Sequence, residues 1–169
     1  MQRLLLILSF MTLTCCTQMC GDGRGDLTPE QVVERYLEIS MTMTDPSQKE
    51  SLLDLTTGVL NSSINSATDE TIKEAFIDKK YANSQWMIVE RRDRTPRETE
   101  ITFELSYRDL SQNPKGKAED APEIITENTV AVIRKEGAWR IRDVIGKKTS
   151  IDFPVGGDVI RPSPPKDSP

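Results

Sequence analysis

Four arginines, Arg91, Arg92, Arg94 and Arg97, stand within seven residues, and three cysteines, Cys15, Cys16 and Cys20, crowd into the first twenty. Guanidinium groups pair with carboxylates and phosphates through a fixed fork of donors, so the arginine run could meet anionic lipid headgroups or an acidic partner. Glu90, Glu98 and Glu100 flank it, and a solvated turn with mutually balanced charges is the other reading. Thiols bring nucleophilic, metal-binding or acylation chemistry. Their clustering at one end means that none can cross-link the core further along. Histidine is absent altogether. Without the commonest general base and metal ligand near neutral pH, no catalytic constellation, metal site or cofactor motif emerges. The net charge of -5 argues against nucleic acid, whose phosphates call for an excess of Lys and Arg.

The cysteines close a leader. Arg3 supplies a positive start, and Leu4 to Thr14 is an apolar run of about eleven residues, well short of the roughly twenty needed to cross a bilayer. Leu13-Thr14-Cys15-Cys16 resembles the bacterial lipobox. The resemblance implies that residues 1–15 are a signal peptide and that Cys16 receives diacylglyceryl and becomes the mature N-terminus. Modification at Cys15 or Cys20 fits that pattern less well, and an ordinary secretory signal cut nearby is the alternative. Each buried methylene of an acyl chain contributes about 0.8 kcal/mol, so two or three chains make a permanent tether. Thr17, where Asp would imply inner-membrane retention, points by the same resemblance to the outer membrane of a bacterial cell envelope.

Residues 16–27 are a Gly/Asp-rich flexible spacer, in which Arg24-Gly25-Asp26 is a tripeptide that arises easily by chance. Residues 28–153 form the one domain, since a chain of 169 residues with 36% hydrophobic content supports a single modest core. Residues 154–169 hold five prolines and are expected to be a disordered tail.

Within the domain, Thr28-Pro29-Glu30-Gln31 opens a helix with a capping box, and Val33, Tyr36, Leu37 and Ser40 follow helical spacing. A second helix is expected from Asp45-Pro46 through Leu60, weakened by Gly58, and a third from Thr68 or Asp69 to about Lys79-Lys80. The period then falls to two. Strands are expected from Ser84 to the break at Thr95-Pro96-Arg97, over Ile101–Tyr107, over Ile124–Lys135 and over Trp139–Val144, with a short fifth piece over Thr149–Phe153. Glu136-Gly137 is a tight turn. The fold class is therefore α+β, with N-terminal helices packed on an antiparallel sheet.

Helices first, then a meander ending in the hairpin from Val130 to Val144, resembles the NTF2-like (cystatin-like cone) superfamily, and Leu27 to Leu37 is similar to its first helix. The resemblance implies a curved sheet wrapped around the helices, with a mouth that holds a ligand, a catalytic Asp or nothing. Tyr36, Trp86, Phe103, Tyr107 and Trp139 are the candidate lining, or else core filling. Enzymatic relatives commonly pair an Asp with His or Tyr, and Asp143 beside Tyr36 is the nearest analogue here. The leading expectation is a noncatalytic, membrane-anchored binding domain for an envelope protein or small-molecule ligand. An enzyme acting through a pocket carboxylate and a structural subunit of an envelope complex are the alternatives.

Overall fold

Thr28 starts helix α1 (Pro29–Thr42) as the spacing predicts: its amide donates to Gln31 Oε1 at 2.9 Å, and Gln31 N donates to Thr28 Oγ1 at 3.3 Å. The computed structural model describes residues 27–111 and 115–152. The leader with Cys15, Cys16 and Cys20, the spacer up to Asp26 and the proline-rich tail lie outside the described residues. Among the described residues, no helix is long and apolar enough to cross a membrane.

After α1, Asp45 caps a short 3-10 turn (Pro46–Gln48) that runs into α2 (Lys49–Asp54). The expected second helix does not continue. It splits, and α3 (Gly58–Ser66) restarts after Leu55-Thr56-Thr57. The cause lies in the sheet, because this linker supplies the hydrogen bonds that an exposed strand edge lacks. Thr57 N donates to Ile141 O at 2.8 Å, and Ile141 N donates to Leu55 O at 2.9 Å. Gly58 restarts the helix at φ +60°, a conformation that side chains other than glycine rarely adopt. Asn61 Nδ2 donates to Leu53 O, Thr56 O and Thr56 Oγ1, which locks the corner. Thr68 then caps α4 (Asp69–Ile72), which widens into a π-turn over Lys73–Ile77 and stops short of the expected Lys79-Lys80.

The sheet is a four-stranded antiparallel meander in the order β1 (Tyr81–Thr95), β2 (Glu98–Asp109), β3 (Glu123–Lys135) and β4 (Ala138–Asp152). The fourth strand and the fifth piece expected from the sequence are one strand, β4, bent rather than broken. Its register against β3 slips at Arg142 and again at Ile145. Strand β1 slips against β2 near Asn83, at Val89 and at Arg94, whereas the β2–β3 ladder runs without a slip. Bulges on both outer strands around a regular centre bend the edges, and the sheet curves around α1 in a cone-like arrangement. Glu136 (φ 54°) and Gly137 (φ 86°) form the two-residue turn between β3 and β4, with the twist that such hairpins favour.

Two apolar clusters hold these layers together. Val32, Val33 and Leu37 of α1 meet Ile101, Phe103, Val130, Val132 and Ile141 of the sheet. Met43, Leu52, Ile64 and Ile72 join the helices to one another. Tyr36 and Leu60 pack against both clusters. Among the described residues, the ladders and the two clusters link helices and strands along the whole stretch from Leu27 to Asp152.

Candidate functional site

Helix α1 has 14 residues and rises ~21 Å, whereas the 13 residues of β3 reach ~43 Å. The helix therefore covers only part of the inner sheet face. The cross-strand row Arg91, Ile101, Val130 and Val144 packs its middle pair, Ile101 and Val130, against α1, while Arg91 and Val144 at its ends are exposed. The next row outward is Ile88, Phe103, Asn128 and Lys147, and the one after it is Trp86, Leu105, Thr126 and Thr149. On β3 and β4 the inner face thus changes from valine to amide, hydroxyl and ammonium where the helix ends.

A cavity of about 330 Å³ opens there, lined by Tyr36, Leu37, Ser40 and Met41 of α1, Phe76 after α4, Tyr81, Phe103, Leu105 and Tyr107 of β1 and β2, and Thr126, Asn128 and Lys147 of β3 and β4, with Ala75 at the rim. Among the described residues, Lys147 is the one charged member of that lining. Asn128 Nδ2 donates to Thr126 Oγ1 at 3.0 Å, and Ser40 Oγ donates to Leu37 O at 3.0 Å. The Tyr81 and Tyr107 rings meet with centroids 4.5 Å apart and planes inclined at 57°. Burial raises the Tyr36 and Tyr107 pKa values, and Asp109 adds to the rise at Tyr107, so both hydroxyls keep their protons at neutral pH. Asp109 sits beyond the cavity, where its Oδ1 accepts from Ser111 N at 2.8 Å.

The residues expected to line a pocket divide. Tyr36, Phe103 and Tyr107 come together in this mouth. Trp86 borders a shallow groove with Gln31, Glu34 and Glu38, and Trp139 borders another with Ile39, Asp54 and Leu55; Leu27 and Arg35 belong to both. The two tryptophans therefore flank α1 from opposite edges of the sheet. Phe76, Tyr81, Asn128 and Lys147 were not anticipated from the sequence. The one available signal was on β3, where Thr126 and Asn128 occupy the same strand parity as the apolar Val130 and Val132.

Asp143 and Tyr36 do not form a pair. Asp143 lies across from Ala131, on the face opposite Val130 and Val132, and its Oδ1 accepts from Val144 N at 2.8 Å. The bulge at Arg142 turned it outward. The arginine run is also dispersed. Arg91 faces α1 and pairs with Glu30 and Asp93, both at 2.9 Å. Arg92 pairs with Glu90 at 2.9 Å, and Arg94 with Glu100 at 2.6 Å. Arg97 alone of the four has no ion pair among the described residues. An open trough of about 520 Å³ on the outer face contains Glu90, Arg92, Glu100 and Glu127. Their charges are matched locally, Glu127 by Lys148 at 2.8 Å, and little apolar wall encloses them. The smaller mouth is the better-formed site because aromatic and aliphatic groups surround it. Among the described residues, no cluster of His, Cys, Asp or Glu could hold a metal ion.

No protein-family model matches the chain, and no curated protein matches it. A solved structure with some likeness is the intermembrane space region of chloroplast protein ARC6, at 12% identity and a TM-score of 0.41, covering 73% of this chain and 93% of that one. A likeness of that degree says nothing about function.

Proposed function

We propose that this protein is a noncatalytic, lipid-anchored binding domain of the bacterial cell envelope, with an NTF2-like cone whose mouth takes a small ligand. The observation that carries the binding reading is the cavity of about 330 Å³ at the end of α1, within the lower range of small-molecule sites and walled by Tyr36, Phe76, Phe103 and Tyr107. The anchor rests on Leu13-Thr14-Cys15-Cys16 at the end of the apolar leader. A tether at that end joins the domain at Leu27, near the start of α1, whereas the mouth is lined by the second half of the helix.

Met41 offers a way to close the mouth without disturbing either core, because it is a half-buried lining residue of α1 outside both clusters. Calorimetric titration of residues 27–169 with 1-octanol and with octanoate is expected to show one-site binding of at least one of them. Met41→Trp is expected to abolish it. Binding that survives the substitution, or no binding of either probe, would contradict this reading. Mass spectrometry of membrane-extracted full-length protein is expected to find diacylglyceryl on Cys16, and an unmodified Cys16 there would remove the anchor.

A further inference from the structure

Lys147 and Lys148 are neighbours in sequence on opposite faces of β4, both of them exposed. Lys148 points to the outer face and is held by Glu127 at 2.8 Å. Lys147 shares the inner face with Asn128 and Phe103, lines the mouth, and has no ion pair or hydrogen bond among the described residues. None of the lining residues is acidic. The other polar groups in the lining are neutral: the Asn128 amide, the Thr126 and Ser40 hydroxyls, and tyrosine hydroxyls.

Met41, Phe76, Phe103 and Leu105 give the helix and β2 side its apolar wall, beside the hydroxyls of Tyr36, Ser40 and Tyr107, while Asn128 and Lys147 stand together on β3 and β4. A wholly apolar ligand would make no use of the amide and ammonium, and a wholly polar one would leave the aromatic wall without a partner. A cationic ligand would meet Lys147 with no carboxylate to offset it.

From this arrangement, and resting on the reading of the mouth as a ligand site, we infer that the ligand is a small anionic amphiphile. Its chemistry is that of a monocarboxylate with a medium-length aliphatic or aryl body, and Lys147 is the residue that selects its charge. The carboxylate lies against the Lys147 ammonium and the Asn128 amide, and the body lies against Phe103, Leu105 and Phe76. The cavity limits the body to a medium chain. Charge-assisted hydrogen bonds are stronger than neutral ones, so an ammonium and an amide at the mouth favour a carboxylate over an alcohol of the same length.

The test is a calorimetric titration of residues 27–169 with octanoate and 1-octanol, both below their aggregation limits, and with an apolar tripeptide bearing a free C-terminus. Octanoate is expected to bind at least about tenfold more tightly than octanol, a difference of about 1.4 kcal/mol. Lys147→Gln is expected to bring octanoate down to the octanol value while leaving octanol unchanged, and Lys148→Gln is expected to change neither. Equal binding of octanol and octanoate, with no effect of Lys147→Gln, would overturn the ligand class while leaving the mouth as a binding site. Failure of both probes to bind would overturn the mouth itself. Binding of the tripeptide in preference to octanoate would replace the small amphiphile with a peptide terminus.

Discussion

Arg91 shows how a residue selected for one chemistry can serve another. As one of four clustered arginines it suggested an anionic surface, but it turns under the sheet and ties β1 to the first turn of α1 through Glu30. Burial raises the Glu30 pKa, but a backbone hydrogen bond and the Arg91 guanidinium outweigh it and hold the carboxyl below the ordinary glutamate value of 4.5. A depressed carboxylate contributes stability that is full above its unfolded pKa and is lost as pH falls through the folded value. The melting temperature is therefore expected to fall on acidification below about pH 4.5, and Glu30→Gln to flatten that part of the curve; a profile identical to the parent would contradict the assignment. At neutral pH the partly exposed pair is worth about 0.2–1 kcal/mol, which urea denaturation of Arg91→Ala should return. The mouth was half legible at this scale. Tyr36, Phe103 and Tyr107 are bulky groups at core-forming spacing, and they stood out. Lys147 did not, because it falls between the strand pieces expected over Trp139–Val144 and Thr149–Phe153, so the sequence assigns it to neither face of the sheet.

Elements with strong local signals matched the sequence closely. The capping box of α1, the Pro96-Arg97 and Glu136-Gly137 turns and the alternation of β2 all depend on neighbours within a few residues. Thr28→Ala is expected to cost about 1 kcal/mol in chemical denaturation, since it removes the side-chain acceptor for Gln31 N. What escaped the sequence depends on distant partners. The break between α2 and α3 exists because Ile141, far along the chain, needs partners for its backbone at the sheet edge. The outward turn of Asp143 exists because β4 has an extra residue at Arg142, and strict alternation from Ile141 would have put that carboxylate inside. Gly58 reports on the same junction. A Cβ there would stand 2.9 Å from Arg142 Cγ at φ +60°, whereas one on Gly137 at φ +86° meets nothing within 4 Å. Both alanine substitutions carry a left-handed backbone cost of about 1–2 kcal/mol, and Gly58→Ala is expected to destabilise more because Arg142 must also move. Equal losses in urea titrations would mean that the junction is looser than described.

For the whole molecule, the α+β class and the order of helices before strands were readable from the change of hydrophobic period near Ser84. The site was less so, because it arises from a mismatch of lengths: a short first helix cannot cover the strands that curve around it, and the uncovered inner face becomes a mouth. The most direct measurement is an amide chemical-shift map of 15N-labelled residues 27–169 during an octanoate titration. The account predicts saturable, one-site shifts concentrated at Phe103, Leu105, Thr126, Asn128 and Lys147. Shifts confined to the outer trough around Thr102, Glu127 and Thr129, or no saturable shifts at all, would contradict it.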